Sequence, residues 1–206
     1  MKIGVDEVGK GDYFGYLVVA AVLVDDKKEL RLKDIGVKDS KLLSDFSIRN
    51  LAPEIKKTCK YDIVKISPEK YNKLYSKFRS LNKLLAWAHA RAIENLLKNN
   101  ECDLIISDRF TEKNFLVESL LEKSRKVKLK QIFKAEKDTA VAAASILARY
   151  EFLRTLRMLG RNLGMVLPKG SAHVKETADI LIKMYGRNIL YKVAKVHFKI
   201  TKKLEK

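Results

Sequence analysis

The segment 17–24 consists of eight consecutive apolar residues, LVVAAVLV. This run is far too short to cross a membrane as a helix, which needs about 20 residues. A short run rich in valine, without alternation of polar and apolar residues, is typical of a central strand that is buried on both faces. We therefore expect a strand over 16–24 at the centre of a sheet.

The remaining segments alternate between strand and helix patterns. Strands are predicted over 2–8, 30–32, 61–66, 104–107 and 127–133. Helices are predicted over 44–57 with Ser44 as N-cap, from Pro68 onwards, over 81–99, over 112–123, from Asp138 or Thr139 to 159, and in two stretches after 170. This order predicts one α/β domain with a mixed sheet over residues 1–206, with a small C-terminal helical subdomain over 161–206 as the alternative.

The charge balance indicates a polyanionic partner. The 206-residue chain has 43 Lys and Arg residues against 25 Asp and Glu residues, a net charge of +18. Nucleic acid is the first candidate, an anionic membrane surface the second, and a merely basic surface the alternative to both. The N-terminus lacks an apolar signal region, and Cys59 and Cys102 match no zinc-site spacing, so we expect a cytoplasmic protein with reduced thiols.

Four acidic residues stand at the ends of predicted strands. Asp6 and Glu7 end the first strand, Asp108 ends another, and Glu136 lies between a strand and a long helix. Acids in such places are costly unless a cation compensates them, and convergent carboxylates suit Mg²⁺ or Mn²⁺. Two such ions are a known arrangement for phosphodiester cleavage. For any one of these acids, a turn or a helix cap is the simpler explanation.

The run DEVGKGDYFG at residues 6–15 resembles the signature of ribonuclease HIII, a prokaryotic type 2 ribonuclease H. Further similar segments follow in the family's order at 36–45, 71–96, 134–149, 167–170 and 194–199. The resemblance implies a ribonuclease H-like fold, a five-stranded mixed sheet flanked by helices, with a C-terminal helical extension. It also implies an endonuclease that cleaves the RNA strand of RNA–DNA hybrids and leaves 5′-phosphate and 3′-hydroxyl ends.

The same resemblance assigns the catalytic, metal-binding carboxylates to Asp6, Glu7, Asp108 and Glu136, with two Mg²⁺ or Mn²⁺ ions. Ribonuclease HII proteins have Asp where this chain has Glu136, so the glutamate favours type HIII. Asp138 competes for the fourth position, but it fits better as the N-cap of the long helix.

The resemblance also implies substrate contacts. The turn Gly9-Lys10-Gly11 corresponds to a Gly-Arg-Gly turn that recognises 2′-hydroxyl groups in ribonuclease HII, and Ser40 and Lys41 correspond to phosphate contacts. Glycines allow close approach of the backbone to a ribose or phosphate, and the 2′-hydroxyl distinguishes RNA from DNA. A simple tight turn and a solvated lysine are the alternatives.

Five ring-bearing residues have no assigned role in the chemistry. We expect His89 to be packed within an apolar helix face, and His173 and His197 to be structural or to contact phosphate. Tyr13 and Phe14 either stack on a sugar or base, or pack in the core.

One feature departs from the family. Bacterial ribonuclease HIII proteins usually carry an N-terminal domain resembling the TATA-binding protein, whereas the signature here begins at residue 6, so we expect a form without that domain. The basic C-terminus is then a candidate for gripping the substrate, or simply a solvated helix; its lysines are Lys192, Lys195, Lys199, Lys202, Lys203 and Lys206.

Several functions remain open on the sequence alone. Cleavage at single ribonucleotides in duplex DNA, as in ribonuclease HII, is one alternative to hybrid cleavage. A noncatalytic nucleic-acid-binding protein and a DNA-directed nuclease are the others. We expect an RNA–DNA hybrid as partner, no membrane, no obligate protein partner and a monomer.

Overall fold

The computed structural model describes residues 1–110 and 114–204. Five strands form one sheet in the order β3-β2-β1-β4-β5. Their bounds are β1 (Lys2–Val8), β2 (Leu17–Val24), β3 (Lys60–Ile66), β4 (Leu104–Asp108) and β5 (Lys128–Ile132). β2 pairs antiparallel with β1 and β3, whereas β4 pairs parallel with β1 and β5. The five-stranded mixed sheet predicted from the sequence is confirmed.

Helices flank this sheet and follow it at the C-terminus. Their bounds are α1 (Asp26–Asp34), α2 (Asp45–Thr58), α3 (Pro68–Phe78), α4 (Leu81–Leu97), α5 (Phe115–Ser119), α6 (Thr139–Asn162), α7 (Lys175–Tyr185), α8 (Asn188–Val193) and α9 (Lys199–Leu204). The predicted caps are present. Ser44 accepts a hydrogen bond from the Ser47 amide at the start of α2, and Asp138 accepts one from the Ala140 amide at the start of α6. No helix in the described part of the chain is long and apolar enough to span a membrane.

Helices cover both faces of the central strands. All eight residues of β2 are buried, with alternate side chains directed into separate clusters on the α6 side and the α4 side. α6 approaches β1 so closely that a Cβ atom at Gly4 would lie 2.1 Å from the Ala140 carbonyl carbon. This close approach places the start of α6 against the middle of β1, and it brings Ser145, further along α6, to the end of β1 where the acids lie.

Some predicted elements were wrong. The strand predicted over 30–32 lies within α1, because Asp25 caps a helix there and only Leu32 on it is buried. The helix predicted over 112–123 is limited to Phe115–Ser119 among the described residues, and 112–113 lie outside them. The long helix α6 continues past 159 to Asn162, and among the described residues three helices follow 170 rather than two.

The C-terminal helices pack into the same core as β2 and α6. Leu181, Leu190 and Leu204 belong to that core cluster. Tyr13 and Phe14 also lie there, fully buried and in edge-to-face contact with ring centroids 4.8 Å apart. Neither ring is therefore exposed for stacking on a nucleotide.

Candidate active site

A cavity of about 410 Å³ opens where β1 and β4 end. It brings together every site residue proposed from the sequence: Asp6, Glu7, Gly9, Lys10, Gly11, Ser40, Lys41, Asp108 and Glu136. β1 and β4 are parallel neighbours, so their carboxyl ends meet at one edge of the sheet. The predicted site residues that it joins are up to 130 positions apart in the sequence.

The two adjacent acids of β1 have different surroundings because neighbouring side chains of a strand point to opposite faces. Glu7 faces α4, where its Oε2 lies 2.8 Å from Nε2 of His89. Asp6 faces α6, where Ser145 lines the same cavity. The two adjacent carboxyl groups therefore face different helices.

Glu7 is an ionised carboxylate with its own counter-charges. Its Oε1 lies 2.7 Å from Nζ of Lys10, and its side chain is almost entirely buried. Burial alone would raise the pKa of Glu7, but the hydrogen bond and charge of His89 and the charge of Lys10 outweigh it and lower the pKa to about 2.

Asp6 has no such compensation. It accepts a hydrogen bond from the Glu7 backbone amide at 2.8 Å, and it forms no ion pair within the described residues. Burial, followed by the negative charge of Glu7, raises the pKa of Asp6 to about 8. A carboxyl group whose ionisation is opposed in this way at neutral pH is the expected partner of a cation.

Asp108 and Glu136 complete the acidic set. Asp108 is the last residue of β4, and its Oδ1 accepts a hydrogen bond from the Ala135 amide at 3.4 Å. Glu136 lies two residues after Lys134, which has a left-handed backbone (φ 55°), and its side chain lines the cavity. The Oε1 atom of Glu136 lies 3.6 Å from the ammonium group of the exposed Lys41.

As the side chains lie, no three acidic, histidine or cysteine residues of the described chain are close enough to hold a metal ion together. Lysine ammonium groups instead neutralise part of the acidic set, Lys10 at Glu7 and Lys41 at Glu136. The donor set is nevertheless composed of carboxylate oxygens, which are the ligands that Mg²⁺ and Mn²⁺ prefer. The residues therefore fit a divalent ion in their chemistry, although an ion would have to displace the lysines.

The side chains of Ser40 and Lys41 differ in their exposure to solvent. The Ser40 side chain is buried, with its Oγ 2.5 Å from Oγ of Ser145, and the Arg149 guanidinium donates a hydrogen bond to the Ser40 carbonyl. The Lys41 side chain is 78% exposed. Of this pair, only Lys41 presents its side chain to the solvent.

Gly9 and Gly11 of the glycine turn differ in whether the fold has room for a side chain. Gly9 has φ +99°, and a Cβ atom there would lie 2.2 Å from the Tyr16 carbonyl oxygen. A Cβ atom at Gly11 would meet nothing within 4 Å. Gly9 is therefore required by the fold itself, whereas no contact within the described chain requires a glycine at position 11.

Sequence reasoning gave no role at this site to several residues, among them Ser145, Arg149 and His89. Ser145 and Arg149 line the cavity from α6, and His89 contacts Glu7 from α4. His89 was correctly expected to be packed. Its contact with Glu7 could not be predicted from the neighbouring sequence, because the two residues are 82 positions apart. Its Nδ1 lies 3.3 Å from Oγ of Ser107, which donates to the Asp108 carbonyl, so His89 links the ends of β1 and β4.

The other two histidines lie outside the cavity lining. His197 stacks on Tyr75 with ring centroids 4.2 Å apart, and burial lowers its pKa to about 4. His173 is exposed in the segment before α7.

The expected C-terminal basic surface needs one correction. Lys195 is fully buried and takes no part in any exposed basic surface. Lys206 lies outside the described residues, whereas the other four lysines of the set are exposed: Lys192, Lys199, Lys202 and Lys203.

Comparison with known protein families gives one match over nearly the whole chain. The family model described as Ribonuclease HII matches residues 3–201. Curated relatives include ribonuclease HIII of Protochlamydia amoebophila, 45% identical over 198 residues, and ribonuclease HIII of Chlamydia felis, 43% identical over 202 residues. These matches cover 96% of this chain and 66% and 67% of the relatives, so the chain spans about two thirds of their length.

Solved structures agree with these matches. Bst-RNase HIII in complex with Mn²⁺ superposes with a TM-score of 0.90 at 36% identity, covering 98% of this chain and 68% of that protein. RNase HII of Archaeoglobus fulgidus, solved in a complex with PCNA, superposes with a TM-score of 0.77 at 34% identity, covering 91% of this chain and 89% of that protein.

Proposed function

The chain belongs to the ribonuclease HII family, and on this basis we propose that it is a metal-dependent endonuclease that hydrolyses the RNA strand of RNA–DNA hybrids. The observation that carries the proposal is the cavity lined by Asp6, Glu7, Asp108 and Glu136 beside the glycine turn. The curated relatives at 41–45% identity are ribonuclease HIII proteins, which favours hybrids over isolated ribonucleotides as substrate. The products would carry 5′-phosphate and 3′-hydroxyl ends.

The four carboxylates are the proposed ligands of Mg²⁺ or Mn²⁺. The raised pKa of Asp6 supports this assignment, as does the presence of Mn²⁺ in the solved Bst-RNase HIII. Two divalent ions bound there would supply an activated water and stabilisation of the departing 3′-oxygen. Asp6, deprotonated when a cation is near, is the proposed shared ligand.

Lys10 and Lys41 have a second role in this scheme. Each pairs with one of the four acids through a side chain that is at least 48% exposed. When cations occupy the carboxylates, both ammonium groups are free to turn towards the substrate phosphates. The turn Gly9-Lys10-Gly11 would place backbone amides against the ribose and phosphate next to the cut, with the 2′-hydroxyl distinguishing RNA from DNA.

A basic groove next to the cavity supports the binding of an extended polyanion. This arginine groove, of about 660 Å³, is continuous with the cavity through the shared lining residues Leu153 and Lys169. Its lining also includes Arg49, Arg157 and Arg161, exposed residues that form no ion pair within the described chain.

The arginine groove has little acid to offset these charges. Among the described residues that line it, Asp45 is the one acid, and it already pairs with Arg149 and Lys169 at 2.7 and 2.8 Å. The groove therefore presents uncompensated positive charge. We propose that the arginine groove binds the phosphate backbone of the duplex beyond the cleavage site.

The proposed activity is tested with four duplexes of one sequence: RNA–DNA hybrid, DNA with a single ribonucleotide, duplex RNA and duplex DNA. Each is incubated with Mg²⁺ and with Mn²⁺. We expect metal-dependent cleavage of the hybrid and none of duplex DNA. Cleavage confined to the single-ribonucleotide substrate would indicate ribonuclease HII-like activity instead.

The Asp6→Asn variant tests the site. We expect it to lose hybrid cleavage while keeping hybrid affinity within a few-fold, because the amide is a poor metal ligand of the same shape. Asp103→Asn, at an exposed acid that pairs with the N-terminus, is the control and should cleave normally. Retained cleavage by pure Asp6→Asn protein would contradict the assignment of the carboxylates.

We also propose that the chain acts as one catalytic domain, as a monomer in the cytoplasm and without an obligate protein partner. The shared core of the C-terminal helices, β2 and α6 supports a single domain. One cooperative unfolding transition and a monomer mass of 23.6 kDa by light scattering are the expected results.

A further inference from the structure

Lys195 is buried without a counter-ion. Its side chain has no exposed surface, and it forms no ion pair among the described residues. Burying an ammonium group without a carboxylate partner costs several kcal/mol unless hydrogen bonds compensate it. The compensation comes from two backbone carbonyls, those of Asp12 at 2.9 Å and Gly15 at 2.8 Å.

Both carbonyls belong to the loop that follows β1 and carries the glycine turn. The backbone around Lys195 holds the same loop. The Lys195 amide donates to the Tyr13 carbonyl at 2.8 Å, and the Gly15 amide donates to the Val193 carbonyl at 3.0 Å. The residues after Gly11 are therefore fixed by the segment 193–195, which lies more than 175 positions away in the sequence.

The segment 193–195 is itself anchored to the body of the protein. Asn72 of α3 is buried, and its Nδ2 donates to the carbonyls of Tyr191 and Ala194 at 3.1 and 2.9 Å. Its Oδ1 accepts from the Val196 amide at 3.1 Å. A continuous chain of hydrogen bonds thus runs from α3 through the segment 193–195 to the glycine-containing loop.

We propose that Lys195 is a positioning residue for substrate recognition: it fixes the carbonyls of Asp12 and Gly15, and thereby holds the turn Gly9-Lys10-Gly11 in the shape that meets the ribose. This inference rests on the proposed function, because it assumes that the turn contacts an RNA strand. Lys195 itself touches no substrate, since it has no exposed surface. A turn that already has its bound shape before the substrate arrives loses less conformational entropy on binding, and this strengthens binding.

The protonation state of Lys195 does not alter this role. Burial lowers the pKa of Lys195 to about 7, against a smaller opposing effect of Asp12. The ring of Tyr71 lies 5.6 Å from the Nζ atom, and His197 is another titratable neighbour. A neutral amine keeps two N–H donors, enough for the two carbonyls, and an ammonium group keeps three.

The experiment compares Lys195→Met with Lys183→Met, the same change at an exposed lysine of α7. Dissociation constants are measured by fluorescence anisotropy for an RNA–DNA hybrid and for duplex DNA of the same sequence, with Ca²⁺ in place of Mg²⁺. Hydrogen exchange of the peptide covering 9–16 is followed in parallel at a temperature where both variants are folded.

We expect Lys195→Met to weaken hybrid binding about tenfold, to leave DNA binding within about twofold, and to speed exchange in 9–16. Lys183→Met should match the wild type. Equal weakening for both duplexes, or unchanged hybrid binding, would overturn the proposal, because a purely structural defect does not single out the ribose strand.

Asn72→Ala provides a second route if Lys195→Met does not fold. This variant keeps Lys195 but releases the segment 193–195 from α3, so we expect the same loss of hybrid preference and faster exchange in 9–16. Unchanged preference and exchange in Asn72→Ala would count against the proposal. A wild-type protein that fails to cleave hybrids would refute the proposed function, whereas the exchange data would still decide whether Lys195 holds the turn.

Discussion

Nε2 of His89 lies 2.8 Å from Oε2 of Glu7, and both side chains are buried. The contact joins the middle of α4 to the end of β1. His89 also reaches Ser107 through Nδ1, so a single imidazole orients one proposed metal ligand and contacts the strand that carries another.

Removing this imidazole should impair the use of the metal ion more than the fold. In His89→Ala, Glu7 loses a partner that fixes its orientation, and we expect activity on the hybrid to fall about 10- to 100-fold, with more Mg²⁺ needed for half-maximal rate. Steady-state rates across a Mg²⁺ titration measure this. His89→Gln places an amide group near the Nε2 position and should recover part of the activity. An unchanged Mg²⁺ requirement in His89→Ala would show that the contact is only structural.

The raised pKa of Asp6 predicts an unusual pH dependence of stability without divalent ions. Its folded pKa of about 8 exceeds the usual 3.8, so between these values the folded state keeps a proton that the unfolded state loses. The contribution of this group to stability therefore falls as pH rises towards 8.

Asp6→Asn removes that dependence. In EDTA at pH 8 we expect the variant to exceed the wild type in free energy of unfolding by at least about 1 kcal/mol, with a smaller difference at pH 5. Urea unfolding at pH 5–9 measures this. Mg²⁺ or Mn²⁺ should stabilise the wild type and not the variant. A variant less stable than the wild type at pH 8 would contradict the prediction.

Gly11→Ala separates substrate contact from folding. A Cβ atom at this position meets no atom of the described chain within 4 Å, and φ is not positive, so the melting temperature should change little. If the turn approaches the ribose closely, the added methyl group should lower kcat/KM for the hybrid by about tenfold or more. Gly9→Ala, where a Cβ atom would clash with the Tyr16 carbonyl oxygen, should instead destabilise the fold. Full activity in a stable Gly11→Ala protein would exclude close contact at this residue.

The arginine groove predicts a change in the salt dependence of binding. If Arg157 and Arg161 each neutralise one phosphate, the double alanine variant should weaken hybrid binding and reduce the slope of log Kd against log salt concentration by about 0.9 for each phosphate that is no longer neutralised. Arg91→Ala removes an exposed arginine from α4, on the other side of the sheet, and should leave the slope unchanged. Identical slopes in the double variant and the wild type would show that these two arginines do not bind the phosphate backbone of the hybrid.

Local patterns in the sequence were sufficient to predict most of the elements and their order. The apolar run of β2, the caps Ser44 and Asp138, and the acids at the ends of β1 and β4 are features of adjacent residues, and local backbone preferences and hydrophobic patterning suffice to predict them. The failures were also local, since Leu30 to Leu32 fits a short strand as well as the helix that Asp25 caps.

The pairing of charged and polar groups, by contrast, follows from the packed fold alone. Lys195 and Lys192 are alike in sequence, yet one is buried against two carbonyls and the other is exposed. Asp6 and Glu7 are adjacent, yet their pKa values move in opposite directions, because the strand sends one towards α6 and the other towards His89 and Lys10. Burial and pairing depend on residues distant in the chain, and hydrogen bonds act over about 3 Å, so these partners are defined only once the sheet and helices have packed.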